Sequence, residues 1–193
     1  SCDKVVFEVN RYNRIIKLND DYTKTISYAA LAHSGYISQV VMSKAVECGD
    51  SFLLEDGAIS KIEMPHVRHI GDNFLRMCTR INVLSFPEVE TIGNYFMRIN
   101  DVIKELYLPN VVTIGDYFMD LNRSVESLIM PNFKAVGSWF MASNNKVKTF
   151  TERLSRELNI QFVELIKKTD APQQKNMENA AFQCKNATNS FFM

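Results

Sequence analysis

No apolar stretch in this 193-residue chain runs beyond a few residues. That is far short of the roughly 20 needed for a helix to span a bilayer, so membrane insertion by such a helix is not expected. A dominant charge is missing as well. Lys plus Arg and Asp plus Glu each number 22, for a formal net charge of zero. Such a balance gives no global electrostatic reason to seek nucleic acid or an anionic lipid surface. The opening SCDKVVFEVN lacks the basic start and apolar middle of a signal peptide. It also lacks an initiating Met, which reads as a trimmed chain or a mature fragment, so the compartment stays open. The four cysteines, Cys2, Cys48, Cys78 and Cys184, have no disulfide-scaffold spacing. Free thiols are expected, which mildly favours a reducing environment.

What the chain does have is an ordinary globular apolar share, 46%, enough to argue against wholesale disorder. It also has a period. Pro65, Pro87, Pro109 and Pro131 stand 22 residues apart, and so do Gly71, Gly93, Gly115 and Gly137. Phe74, Phe96, Phe118 and Phe140 keep the same interval, followed by Leu75, Met97, Met119 and Met141. Weaker copies precede these, through Gly49 with Phe52-Leu53 and through Thr25-Ile26-Ser27. About six repeats cover 15–146, with the opening strand of a seventh.

Within each repeat the pattern apolar-x-x-apolar-x-apolar reads as a half-buried strand. Examples are Ile81, Leu84, Phe86 and Ile103, Leu106, Leu108. Proline, which cannot donate to a ladder, ends the strand. The Ile or Val before glycine points inward, and the glycine is read as permitting a tight or left-handed bend. The segment DYFM or NYFM is expected to make a short helical turn that seats Phe and Met in the core. One 22-residue unit cannot hide its own apolar side, but stacked units can. Leu84, Leu106 and Leu128 should therefore lie side by side on adjacent parallel strands, about 4.8 Å apart.

The repeated LPNVVTIGDYFM of residues 108–119 resembles the BspA-like leucine-rich repeats. Units of that family carry a leucine-proline, an isoleucine-glycine and an aromatic in this order. The likeness covers about two-thirds of the chain, with Phe-Met standing where Ala-Phe is common. It implies an α/β solenoid: a right-handed superhelix with a parallel β-sheet on the concave side and short helical turns on the convex side. It further implies protein binding without a catalytic centre, often in bacterial surface or secreted proteins, with adhesin or effector roles in virulence.

The expected organisation is an N-terminal cap strand unit at 1–14, a repeat body at 15–150 and a helical cap and tail at 151–193. KVVFEV, residues 4–9, alternates like a strand that covers the first repeat. Leu154, Leu158, Phe162 and Leu165 form one helical stripe within 152–168, although a degenerate seventh repeat would also place Leu158 and Phe162. A second helix is expected to start near Thr169 or Asp170.

Chemistry-bearing residues are few. His66 and His69 stand near Glu63 and Cys78, but the period equates His66 with Glu88, Asn110 and Asn132, plain turn positions. No metal, cofactor or enzyme activity is expected. Cys48 falls in the slot of Ile70 and Ile92, and Tyr95, Tyr117 and Trp139 recur once per turn as an aromatic ladder or an edge shield. The triplets Asn122-Arg123-Ser124 and Asn186-Ala187-Thr188 match a glycosylation acceptor.

The concave side chains are the candidate partner-binding set: Val41, Lys61, Glu63, Val83, Ser85, Glu105, Tyr107, Ser127, Ile129 and Thr149. Apolar residues among them have no core to fill, which suits a protein interface. Strand propensity would place the same residue types there without any partner. Two other readings stand beside recognition. One is a scaffold that oligomerises through 151–193, and the other is a repeat array presenting an enzyme domain outside this chain.

Overall fold

The structure, a computed structural model, describes residues 4–144 and 146–150, with backbone alone at 149 and 150. The expected helices at 152–168 and beyond Thr169, with Cys2, Cys184 and Asn186, lie outside the described residues.

The chain opens with a hairpin of β1 (Val5–Val9) and β2 (Ile15–Asp20), paired antiparallel. From there short and long strands alternate. They are β3 (Thr25–Ile26), β4 (Gln39–Met42), β5 (Glu47–Cys48), β6 (Lys61–Glu63), β7 (His69–Ile70), β8 (Val83–Ser85) and β9 (Thr91–Ile92). The series continues with β10 (Glu105–Tyr107), β11 (Thr113–Ile114), β12 (Ser127–Ile129), β13 (Ala135–Val136) and β14 (Thr149–Phe150). Every parallel pair joins residues 22 apart: Leu18 to Val40, Val40 to Ile62, Ile62 to Leu84, and Leu106 to Leu128. The short strands form a second, unbroken parallel sheet, β3-β5-β7-β9-β11-β13. The result is a solenoid whose core lies between its faces. Ile59, Ile62, Met64, Val67, Ile70, Phe74 and Leu75 are all buried within one turn of it.

The expected helical turns are not formed, and no helix occurs among the described residues. The Phe-Met segment is a run of tight turns that forms a third face, and every second residue in it adopts a positive φ. Ser51, Leu53 and Glu55 take φ values of 62°, 52° and 56°, and the pattern repeats at Tyr95, Met97 and Ile99. Left-handed conformations cost roughly 1–2 kcal/mol for an L-residue. The compensation is hydrogen bonding to both neighbouring turns. Ser51 N–H donates forward to Asp72 O at 2.7 Å, Leu53 N–H back to Ala30 O at 3.2 Å, and Glu55 N–H forward to Arg76 O at 3.0 Å. A single helical turn would leave such groups unanswered. The alternation also lets adjacent Phe52 and Leu53 both point inward, where a flat strand would send one out.

The glycine expectation also needs correcting. Gly71, Gly93, Gly115 and Gly137 do not take a positive φ; what they supply is space. A Cβ on Gly93 would sit 2.7 Å from the carbonyl carbon of Gly71 and 2.8 Å from the amide nitrogen of Asp72. The close approach lets the next residue link the turns. Asp72 Oδ1 accepts from Asn94 N–H at 2.7 Å, and Asn94 Oδ1 from Asp116 N–H at 2.8 Å.

A second polar column lies inside. Asp56, Cys78, Asn100, Asn122 and Asn144 stand 22 apart, and all five are buried. Asn100 Nδ2 donates to Cys78 O at 2.7 Å, while its Oδ1 accepts from Val102 and Ile103 N–H at 3.1 and 3.3 Å. These contacts satisfy main chain that would otherwise be orphaned where the solenoid turns a corner.

Candidate functional site

The long strands direct alternate side chains outward in two rows. One row runs Gln39, Lys61, Val83 by strand register, and resumes as Glu105 and Ser127, with the backbone of Thr149 next in register. The other runs Val41, Glu63, Ser85 and resumes as Tyr107, Ile129. All ten expected contact positions thus fall on the long-strand face. They are unequally available. Val41, Lys61, Glu63, Ser127 and Ile129 are half-buried, whereas Ser85 and Glu105 are exposed. Lys61 Nζ and Glu63 Oε1 are paired at 2.9 Å, so these two side chains answer each other. Among these ten positions the most exposed apolar side chains are Val83 at 43% and Tyr107 at 61%.

Those two residues flank a seam that the period did not reveal. The long-strand face is two sheets, β1-β2-β4-β6-β8 and β10-β12-β14, and β8 is not bonded to β10. Leu106 and Leu128 are therefore neighbours as expected, but the ladder does not close between Leu84 and Leu106. Elsewhere the crossing is regular. Asn82 N–H donates to Ser60 O at 3.0 Å, Glu126 N–H to Lys104 O at 2.8 Å, and Met64 N–H to Ser85 O at 3.2 Å. Among the described residues, Lys104 N–H makes no equivalent bond to Asn82 O, nor Phe86 N–H to Tyr107 O. The same two turns stay joined on the other faces, through Gly115 N–H to Ile92 O and Met119 N–H to Phe96 O, each at 2.8 Å. The opening is confined to the long-strand side, where Leu84 is only half-buried while Val40, Ile62 and Leu128 are fully covered. It coincides with Phe86 in the slot held by Met64, Leu108 and Met130. The larger ring packs edge-on to Phe74 at 5.6 Å.

Unpaired amides should be visible in solution. The amides of Lys104 and Glu105 are expected to exchange with deuterium at least tenfold faster than those of Asn82, Val83, Glu126 and Ser127. Residue-resolved hydrogen exchange reads this directly, and equal protection across the seam would refute the opening.

Other surfaces are less open to a ligand. A shallow polar groove of about 600 Å³ runs beside the proline turns, lined by Arg68, Glu88, Glu90, Asn110, Asn132 and Lys134. Much of its polarity is committed to holding turns together. Asn110 Nδ2 donates to Pro87 O and Asn132 Nδ2 to Pro109 O, both at 2.7 Å, and His66 Nδ1 meets Glu88 Oε1 at 2.9 Å. His69 pairs instead with Thr91 Oγ1 at 2.8 Å, so the two histidines do not converge. No cluster of three or more His, Cys, Asp or Glu suited to a metal occurs among the described residues. On the third face Tyr95, Tyr117 and Trp139 do form a ladder, with ring centroids 4.8 and 5.9 Å apart. Arg76 and Arg98 lie over Tyr95 and Tyr117, and Arg98 is tied to Asp120 at 2.8 Å.

Cys48 occupies the isoleucine slot, in register with Ile26 and Ile70, and is buried. Burial pushes the Cys78 thiol up to about 12, with the Asp56 and Glu55 carboxylates adding to the rise; burial raises Cys48 as well. Neither suits a nucleophile, which needs a lowered value. In the folded chain both should resist a maleimide reagent at pH 8 and react promptly once unfolded. Because the folded value of Cys78 lies above its ordinary 9.0, its contribution to stability is intact below pH 9. That contribution is lost as the pH climbs toward 12.

Turns of 22 residues, bonded to one another through parallel strands on two faces and carrying outward strand rows, define a repeat solenoid. More particularly, the profile of the BspA type leucine rich repeat region matches residues 3–126 and 47–161, in six copies, and the chain belongs to that family. No curated protein and no solved structure matches the chain. Leucine-rich repeat domains generally mediate protein–protein interactions.

Proposed function

We propose that the chain is a non-enzymatic protein-recognition module that binds another protein through its long-strand face, read as the concave side of the solenoid. The observation that carries this reading is the pairing of two exposed apolar side chains, Val83 and Tyr107, with a seam of unanswered main-chain groups between their strands. Apolar anchors beside free hydrogen-bonding groups are the composition of an interface centre. A rigid stack also presents them preorganised, which limits the entropic cost of association. The contact set comprises Val41, Lys61, Glu63, Val83, Ser85, Glu105, Tyr107, Ser127, Ile129 and Thr149, with Tyr107 dominant. The division into 1–14, 15–150 and 151–193 is part of the same proposal, as is a role at a bacterial surface or in secretion.

The test pairs a fold control with a capture experiment. Tyr107→Asp combined with Ile129→Lys should leave circular dichroism unchanged, since both side chains point away from the core. Retention of partners that the unmodified chain enriches should fall at least tenfold, equivalent to about 1.4 kcal/mol or more. Unchanged capture by the folded double variant would refute recognition through this face.

A further inference from the structure

The β1 strand is the outer edge of the first long-strand sheet and has no partner on its far side among the described residues. Its apolar side chains are uncovered on both faces: Val5 and Val6 are 50% exposed, Phe7 56% and Val9 42%. Exposed edges of this kind are ordinarily blunted by charge, proline or a bulge, because their free main chain templates further pairing. Here one bulge, between Glu8 and Val9, lies at the end of the strand, and Glu8 is the one charged residue within it. Val5, Phe7 and Val9 stand opposite Asp20, Leu18 and Ile15, and the last two pack against the core. This row therefore continues the core side of the sheet past the first turn.

The hydrogen-bond pattern fixes which groups are free. Asp21 N–H donates to Lys4 O at 3.0 Å, so the main chain of Lys4 is directed at β2. In an antiparallel ladder the direction alternates along the strand. Val6 and Glu8 therefore face β2, and Val5, Phe7 and Val9 offer their N–H and C=O groups outward.

We propose that β1 pairs antiparallel with β1 of a second copy of this chain, about a two-fold axis passing through Val6. A two-fold axis makes the contact self-complementary, each residue meeting its counterpart reciprocally. Centring it on Val6 sets Val5 opposite the other copy's Phe7 as hydrogen-bonded pairs, which the outward main chain requires. Val6 meets Val6 between them. The same register sets Lys4 opposite Glu8 twice, once on each side of the axis. Lys4 and Glu8 are exposed, and Glu8 already carries the Lys17 ammonium at 2.9 Å on one flank. Charge complementarity thus selects this register over the one centred on Phe7, which would set Glu8 against Val6.

The experiment is sedimentation velocity of the full chain over a wide concentration range. A reversible rise to twice the monomer mass is expected. Val5→Pro removes an outward N–H without touching a bond to β2, so it should preserve the circular dichroism spectrum and abolish the dimer. Lys4→Glu places two carboxylates in opposition on each side of the axis, and Glu8→Lys does the same with ammonium groups. Each variant alone should raise the dissociation constant about tenfold. An equimolar mixture of the two variants restores an opposite charge at every pair, and should form a heterodimer tighter than either homodimer. A chain that stays monomeric at every concentration overturns the proposal. So does a Val5→Pro dimer of unchanged strength, and failure of the mixture to recover overturns the register.

Discussion

Gly93→Ala is expected to destabilise the chain by roughly 3 kcal/mol, a large effect for one methyl group. Alanine adopts the backbone conformation of Gly93 without strain, because φ there is not positive. The penalty is contact. The new carbon would lie 2.7 Å from a backbone carbon and 2.8 Å from a backbone nitrogen of the preceding turn, and 2.5 Å from Asp72 Oδ1. A side-chain oxygen can swing aside, but the backbone of Gly71 and Asp72 cannot move without opening the short-strand sheet. Its Gly93 N–H to Ile70 O bond is 2.8 Å long. Stability in a stacked array is a sum of turn and interface terms, so a wedge at this rung weakens coupling between the two halves. Gly57→Ala is the matched control. Its added carbon meets nothing within 4 Å and its φ is not positive, so the variant should be neutral or stabilised by about 0.4–1 kcal/mol. Urea unfolding of both variants measures the contrast, and equal effects would refute the close-approach explanation.

Phe96→Ala is expected to cost about 4 kcal/mol. Phe96 is fully buried and stacks on two rings, Phe74 at 5.5 Å and Phe118 at 5.2 Å, within a column that runs from Phe52 to Phe140. Deletion removes both stacking contacts and leaves a cavity between main chains that cannot collapse, because Met97 N–H and Met119 N–H pin the turns at 2.9 and 2.8 Å. Its neighbour Tyr95 supplies the comparison. Tyr95 is half-buried and stacks outside the core on Tyr117, so Tyr95→Ala should cost only about 1 kcal/mol. Similar losses for both would contradict the burial of Phe96 in the core column and the outward stacking of Tyr95.

The reach and the failure of sequence reading both follow from where the information sits. A strand buried on one side writes its alternation into the sequence, so Leu106 and Leu128 could be paired, and Glu105 and Tyr107 turned outward, from the 22-residue period alone. The short strands were half legible. The inward isoleucines before glycine were evident, but two-residue strands carry no alternation of their own. The Phe-Met turn misled because its residues suit a helix locally, while its amides are answered by the turns before and after. That bonding is a property of the stack and is invisible in one repeat. Glycine misled for the same reason, since its role depends on the distance to the preceding turn. The buried Asp56–Asn144 column was written at the right interval, but polar letters before a strand read as surface loop. The seam coincides with Phe86, in a slot where the pattern asks only for an apolar residue and does not weigh its volume.

Pairs of engineered cysteines test the stacking itself most directly. Thr91 and Thr113 are in register on adjacent strands of the short-strand sheet, and Ala135 follows one rung further. Neighbouring strands lie about 4.8 Å apart, inside the range a disulfide spans, whereas two rungs come to about 9.6 Å, beyond it. With Cys2 and Cys184 replaced by serine, mild oxidation of the folded chain should cross-link Thr91→Cys with Thr113→Cys. The pair Thr91→Cys with Ala135→Cys should stay reduced. Cross-linking of the second pair in preference to the first would contradict a solenoid that advances one rung every 22 residues.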